Sequence, residues 1–161
     1  QPLSIVIYNK KLDTWTPGAH AGTFRGNQLA MKAGTVLLKK VSQPKFLQNV
    51  SKKGELIRAR LNALKGKVSI IGDIRGQGLM VGTEFVDPKG QKDCMGSLPA
   101  CGEIAAKVQK LCFENFLVVE KGGRNGSVMR CLCALNISEE DVNKAMDIFE
   151  KCVLQVNQEY K

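Results

Sequence analysis

Residues 67–86 read KVSIIGDIRGQGLMVGTEFV, and this stretch decides which fold the sequence predicts. It holds two apolar, strand-like runs on either side of residues 73–78, a largely polar segment with two glycines. A helical pattern precedes the stretch and another follows it. We therefore predict that an α+β unit begins here and continues to the end of the chain.

The segment after this stretch predicts a loop at residues 87–96, a helix, two strands and a last helix. The first helix is marked by an apolar face at Leu98, Cys101, Ile104, Ala105, Val108, Leu111 and Cys112. Residues 116–120 and 127–132 predict the two strands, with a turn at 122–126. Ser138 can cap the free amides of the last helix, whose core face is predicted at Val142, Ala145, Met146, Phe149, Val153 and Val156.

The segment before it predicts a strand, a loop and two helices. Residues 3–8 are mostly apolar and β-branched, which indicates a buried strand. A helical pattern begins at about Asn27, and Pro44 starts a second one that ends at Gly66.

Composition and charge argue against several classes of partner. No apolar run approaches the roughly 20 residues that a membrane-spanning helix needs, so no membrane partner is expected. The net charge is +9, but the basic residues are spread along the chain and only 6% of residues are aromatic. Nucleic acid is therefore not expected as a partner.

The six cysteines and the single histidine do not form the spacing of a metal site. There is no C-x-x-C pair, so no metal is expected. Most of the cysteines fall on apolar stripes, as free thiols do in a reducing compartment, and we expect a cytoplasmic protein. Cys131 and Cys133 are interpreted as core residues of one strand face. His20 has no nucleophile beside it and is interpreted as a structural hydrogen-bonding residue.

The glycines at 76, 78 and 82 do not match a dinucleotide-binding loop. Their spacing is G-x-G-x-x-x-G, and the residues that follow them predict a strand rather than a helix whose N-terminus could hold a pyrophosphate. We interpret these glycines as residues of turns and close packing.

Residues 20–34, HAGTFRGNQLAMKAG, form a loop that leads into a helix and carries groups suited to an anion. Gly22 and Thr23 offer backbone amides and a hydroxyl, and Arg25 offers a guanidinium. Composition alone favours, by a modest margin, a capped loop that binds no ligand.

Three stretches of the chain resemble class III, pyridoxal-phosphate-dependent aminotransferases. The first is WTPGAHAGTFRGNQLA at 15–30, where Arg25 and Gln28 resemble the diaminobutyrate:2-oxoglutarate aminotransferase branch. The second is IGDIRGQGLMVG at 71–82, and the third is VMRCLCALNISEE at 128–140. The third stretch departs from the family pattern, because Cys133, Ala134 and Asn136 replace two prolines and a threonine.

The resemblance implies an α/β to α+β fold, namely the C-terminal part of a fold-type-I transferase. Residues 1–34 would be the end of the large cofactor-binding domain, with a strand and a phosphate-contacting loop. Residues 35–66 would be connecting helices, and residues 67–161 a small C-terminal α+β domain.

The resemblance also implies site residues. In this family a lysine forms a Schiff base with the cofactor, and we expect that lysine before Gln1, so no catalytic residue is assigned within the chain. Gly22 and Thr23 match residues that contact the phosphate of pyridoxal 5'-phosphate across the interface of a homodimer. Arg130 matches the arginine that binds a substrate carboxylate.

The implied reaction moves an amino group between 2,4-diaminobutyrate, or a similar ω-amino acid, and 2-oxoglutarate. The substrates would thus be an amino acid and a 2-oxo acid, and the chain alone would be inactive. Two other classes of function stay open at this point: a non-catalytic dimerisation or binding module derived from the fold, and a basic nucleic-acid-binding domain.

Overall fold

The computed structural model describes residues 2–160, and the chain divides into two compact units. One unit ends at Leu47, and the other begins at Gln48. The sequence-based division at residues 34 and 66 concerns the domains of a larger enzyme and stays a prediction.

The first unit contains an extended segment, a loop and one helix. Helix α1 spans Gln28–Val41, and the side chain of Asn27 caps it by accepting a hydrogen bond of 2.9 Å from the amide of Ala30. This confirms the predicted helix start. The loop is ordered by aromatic contacts, because the ring of Trp15 lies 5.1 Å from that of Tyr8 and 5.5 Å from that of His20, measured between centroids.

The prediction of a buried strand at residues 3–8 is wrong for this chain. The segment forms no strand, and the side chains of Ile5, Val6 and Ile7 are exposed. A strand needs a neighbouring strand to bond its amides and carbonyls, and apolar, β-branched composition does not provide one.

The second unit is built around a four-stranded antiparallel sheet. Strands β1 (Ile71–Gln77) and β2 (Met80–Phe85) form a hairpin, and strands β3 (Glu120–Gly122) and β4 (Val128–Leu132) form another. The strand order is β1-β2-β4-β3, so β2 and β4 join the two hairpins at the centre. The four predicted strands are therefore present, although two of the strand boundaries differ.

Both differences have a local cause. Residues 73–77, predicted as part of a polar connection, belong to β1, because their charged side chains lie on a solvent-facing side of the sheet. Residues 116–119, predicted as strand, lie outside β3. Phe116 has a left-handed backbone (φ 63°), so the chain is still turning away from the preceding helix at that point.

Three helices cover one face of the sheet and supply the core. Helix α2 spans Pro44–Lys65, α3 spans Gly102–Glu114 and α4 spans Glu139–Asn157. The hydroxyl of Ser138 caps α4 by accepting a hydrogen bond of 2.9 Å from the amide of Asp141, as predicted. The core joins these helices to the sheet through Ile57, Leu61, Leu64, Leu79, Val81, Phe85, Ile104, Val108, Met129, Val142, Met146, Phe149 and Val153.

Strand alternation gives the sheet two different faces. Val81, Thr83 and Phe85 of β2 are buried among the helices. The residues between them, Gly82 and Glu84, therefore lie on the opposite face, together with their cross-strand partners on β1 and β4. We call this opposite side the charged face.

Residues 2–160 contain neither a helix suited to a membrane nor a cluster of metal ligands. None of the helices there combines the length and apolar content needed to cross a bilayer. Nor do three or more His, Cys, Asp or Glu side chains in this range group together as metal ligands would.

Candidate active site

The loop at residues 22–27 connects a tight turn to helix α1. The amide of Arg25 donates to the carbonyl of Gly22 at 3.1 Å, which closes the turn around Thr23. Gly26 has a left-handed backbone (φ 69°), a conformation that glycine adopts without strain. Thr23 is exposed, so its hydroxyl and the backbone around it are accessible from outside the unit.

His20 and Arg25 contact each other at the edge of this loop. The guanidinium Nη2 of Arg25 lies within hydrogen-bond distance of the His20 ring, and this ring packs edge-on against Trp15. The guanidinium is a donor, so the facing ring nitrogen acts as the acceptor. This contact agrees with the structural role predicted for His20, and it holds Arg25 beside the loop.

Arg130 lies on β4, on the charged face. Its guanidinium Nη2 donates to Oε1 of Glu120 at 2.5 Å, and the two residues are direct cross-strand partners on β4 and β3. Both side chains remain substantially exposed, at 40% for Arg130 and 48% for Glu120. The Nε atom is buried and has no hydrogen-bond partner among the described residues. A planar guanidinium with one edge occupied still has donors for a second carboxylate.

Gly122 gives Arg130 the space that it occupies. A Cβ atom at Gly122 would lie 2.9 Å from Nη2 of Arg130 and 3.4 Å from its Cζ. The guanidinium therefore lies directly over the backbone of β3. Any side chain at this position would push the guanidinium away.

Sequence reasoning missed Glu120 and Gly122. The predicted hairpin contained the signal, because an acidic and a basic residue that face each other on neighbouring strands form an ion pair. Reading that signal requires the register, and the register is set by a turn whose geometry depends on left-handed backbone at Gly123, Asn125 and Gly126.

A cavity of about 300 Å³ lies beside the same hairpin, and both Glu120 and Arg130 contribute to its lining. Its lining is mainly apolar and includes Ile57, Leu117, Cys131, Cys133, Met146 and Phe149. Burial raises the pKa of the Cys131 thiol to about 11 and also raises the pKa of Cys133. Both thiols are thus protonated at neutral pH and poorly reactive, which agrees with the predicted core role.

The candidate residues fall in different units. Gly22 and Thr23 belong to the first unit, and Arg130 belongs to the second. Each unit thus carries one group suited to an anion: an exposed hydroxyl on a tight loop in the first, and a guanidinium on the charged face in the second.

Comparison with known proteins gives consistent matches. A family model described as aminotransferase class-III matches residues 2–153. Proteins named diaminobutyrate--2-oxoglutarate aminotransferase are similar in sequence. The one from Haemophilus influenzae is 41% identical over 153 residues, which cover 95% of this chain and 34% of that protein. The one from Rhizobium meliloti is 44% identical over 143 residues, 89% of this chain and 30% of that protein.

Solved structures match the fold as well. An aminotransferase from Bacillus anthracis aligns with a TM-score of 0.71 at 25% identity, over 85% of this chain and 30% of that one. A transaminase from the marine bacterium Virgibacillus, at 19% identity, aligns with a TM-score of 0.72 over 94% of this chain and 34% of that one.

These matches confirm the predicted fold, a mixed α/β chain from a fold-type-I transferase. The chain spans about a third of the length of the curated relatives that it matches. Over that third, the family model, the sequence relatives and the solved structures agree. The chain belongs to the class-III aminotransferase family.

Proposed function

We propose that residues 1–161 form the C-terminal part of an enzyme that moves an amino group between 2,4-diaminobutyrate, or a similar ω-amino acid, and 2-oxoglutarate. The observation that carries this proposal is the 41–44% identity, over nearly the whole chain, to proteins named for that reaction. The guanidinium of Arg130, which is hydrogen-bonded to Glu120, supports the proposal, because both 2-oxoglutarate and the amino donor carry carboxylates.

Arg130 is the proposed substrate-binding residue. Its free donors would bind a carboxylate oxygen and fix the orientation of the substrate, while Glu120 occupies the Nη2 position. The exposed charged face leaves this guanidinium open to a small ligand.

The loop around Thr23 has the chemistry to hold the phosphate of pyridoxal 5'-phosphate. It offers an exposed hydroxyl, backbone amides and glycines that allow close approach. Gly22 and Thr23 are the residues that would hold it, and in the proposed homodimer they would serve the partner's site. The cofactor, when bound, supplies the electron sink for amino-transfer chemistry.

The lysine that bonds covalently to the cofactor is proposed to lie outside residues 1–161. Lys10 and Lys11 are exposed, they form a short 3-10 turn, and they do not match the family's lysine. On this proposal the 161 residues alone do not catalyse amino transfer. The free thiols of all six cysteines support a reducing cytoplasm as the compartment.

The test is an amino-transfer assay on the intact protein, with cofactor affinity as a second readout. We expect glutamate to form from 2-oxoglutarate with 2,4-diaminobutyrate as donor. Thr23→Val should weaken pyridoxal phosphate binding about tenfold, since it removes one hydrogen bond to a charged group, and Thr23→Ser should restore it. A folded protein that binds no cofactor and accepts no ω-amino donor would favour the non-catalytic module instead.

A further inference from the structure

The contact between Glu120 and Arg130 joins the proposed substrate arginine to a residue that has no role in the reaction described so far. The two side chains are cross-strand partners, and one oxygen of Glu120 accepts from one nitrogen of Arg130 at 2.5 Å. Among residues 2–160 the guanidinium is engaged through Nη2 alone, so the contact fixes its plane without using all of its donors.

Gly122 completes this arrangement from the backbone side. It lies two residues after Glu120 on β3, hence on the same face of the strand. A Cβ atom at Gly122 would lie 2.9 Å from Nη2 of Arg130. The guanidinium therefore packs directly against the backbone of Gly122. The hydrogen bond from Nη2 to Glu120 thus fixes the direction of the guanidinium. The absence of a side chain at Gly122 lets the guanidinium lie close to strand β3.

We propose that Glu120 is a positioning residue, which together with the space at Gly122 holds the Arg130 guanidinium in the orientation that receives the substrate carboxylate. This inference rests on the proposed role of Arg130. It assigns to Glu120 a function through Arg130 rather than contact with the substrate.

A carboxylate beside a carboxylate-binding site has two opposing effects. Its negative charge repels the ligand, whereas its hydrogen bond orders the guanidinium before the ligand arrives. Glu120→Gln removes the charge and keeps an oxygen that can accept from Nη2. Glu120→Ala removes both. The difference between these two variants therefore isolates the positioning effect from the charge effect.

A second ion pair on the same sheet provides a matched control. Arg75 donates to Glu84 at 2.5 Å, also on the charged face, and neither residue contacts Arg130 in the hydrogen bonds of the described residues. Glu84→Gln and Glu84→Ala repeat the same chemical changes at a carboxylate on the same face that makes no hydrogen bond to Arg130.

The test measures the Kd of 2-oxoglutarate for the intact protein by isothermal titration calorimetry, and the unfolding midpoint of each variant. We expect Glu120→Ala to bind about tenfold more weakly than Glu120→Gln, since misplacing a binding group by about 1 Å is costly. Gly122→Ala should also weaken binding although it changes no charge. The two Glu84 variants should bind equally well.

The outcomes separate this inference from the proposed function. If Arg130→Ala leaves the Kd unchanged, or the unaltered protein does not bind 2-oxoglutarate, the carboxylate-binding role of Arg130 is wrong. If Arg130→Ala weakens binding but Glu120→Ala and Glu120→Gln have the same Kd, Arg130 keeps its role and Glu120 does not position it. Equal unfolding midpoints for the two Glu120 variants exclude a difference in folding as the cause.

Discussion

Gly54 on helix α2 packs against the backbone of Gly78, in the turn between β1 and β2, so closely that a Cβ atom at Gly54 would overlap the Gly78 carbonyl. Gly78 itself has a left-handed backbone (φ 55°). The two glycines therefore set how near the helix comes to the first hairpin. Both turn and close packing were predicted for Gly78, and the partner on α2 explains the close packing.

This relationship predicts a large effect of a single methyl group. Gly54→Ala should lower the free energy of unfolding by about 1–3 kcal/mol, because the new Cβ must displace backbone rather than a flexible side chain. Alanine is the better helix former, so helix propensity alone predicts the opposite sign. Urea unfolding followed by circular dichroism measures the difference. Gly66→Ala is the control: its Cβ would have no neighbour nearer than 3.6 Å, and its stability should match that of the unaltered protein.

Arg60 links helix α2 to helix α4 through two carboxylates. Its Nε donates to Glu150 at 2.7 Å and its Nη2 to Asp147 at 2.6 Å, and these contacts raise the pKa of the guanidinium. Arg60→Ala should cost about 1–3 kcal/mol in urea unfolding, because a partly buried arginine with several charge-assisted bonds is lost.

The exposed pair Lys144–Glu140 on α4 is the comparison for Arg60. It has the same 2.7 Å separation, but its two side chains are mostly exposed and the pair is screened by solvent. Lys144→Gln should change stability by less than about 0.5 kcal/mol. Equal losses for the two variants would mean that the Arg60 network adds nothing beyond an ordinary surface pair.

Asp73 should make stability depend on acid pH. Its hydrogen bond with Arg75 lowers its pKa below the usual value, against an opposing effect of burial. A depressed folded-state pKa means that the stabilisation is present above the unfolded pKa, about 4, and is lost as the pH falls through the folded pKa. The pair is about half exposed, so the effect is at most about 1 kcal/mol.

The measurement compares unfolding free energies of the unaltered protein and Asp73→Asn at pH 6 and near pH 2.5. The unaltered protein should be the more stable of the two at pH 6, and the difference should shrink at the lower pH. A difference that stays constant across this range would show that the ionisation of Asp73 does not contribute.

Ser138 caps helix α4, and removing the cap should destabilise that helix in particular. Ser138→Ala should cost about 1 kcal/mol, because the amide of Asp141 loses its acceptor. Hydrogen exchange at the first turn of α4 should rise more than exchange at its centre. Ser138→Asp, which keeps an acceptor, should retain most of the protection.

Local sequence signals predicted the parts of the fold that depend on nearest neighbours. The cap at Ser138 and the helix starts near Asn27 and at Pro44 are decided within a few residues, and all three were predicted. The extended run at residues 3–8 was not predicted correctly, because a strand exists only when another strand pairs with it. The composition of residues 3–8 favours a strand, but a strand forms only where a partner strand is present.

The proposed site residues also divide into those recognised from local sequence and those that depend on strand pairing. Arg130 and the loop at Thr23 are proposed from motifs that are contiguous in the sequence. Glu120 and Gly122 are not in those motifs, because Glu120 matters by facing Arg130 across the hairpin and Gly122 by lying beneath its guanidinium. Asp73 and Arg75 were predicted to lie in a connection for a similar reason. Their charges are paired on the outer face of β1, and the sequence does not show which residues share that face.

Isotope transfer tests the central claim most directly. The intact protein is incubated with 2-oxoglutarate and 2,4-diaminobutyrate that carries ¹⁵N at the 4-amine, and the glutamate formed is analysed by mass spectrometry. The account predicts ¹⁵N-labelled glutamate, and no label in glutamate when the ¹⁵N is placed at the 2-amine instead. Unlabelled glutamate from the 4-labelled donor, or no glutamate from a folded, cofactor-loaded protein, would contradict it.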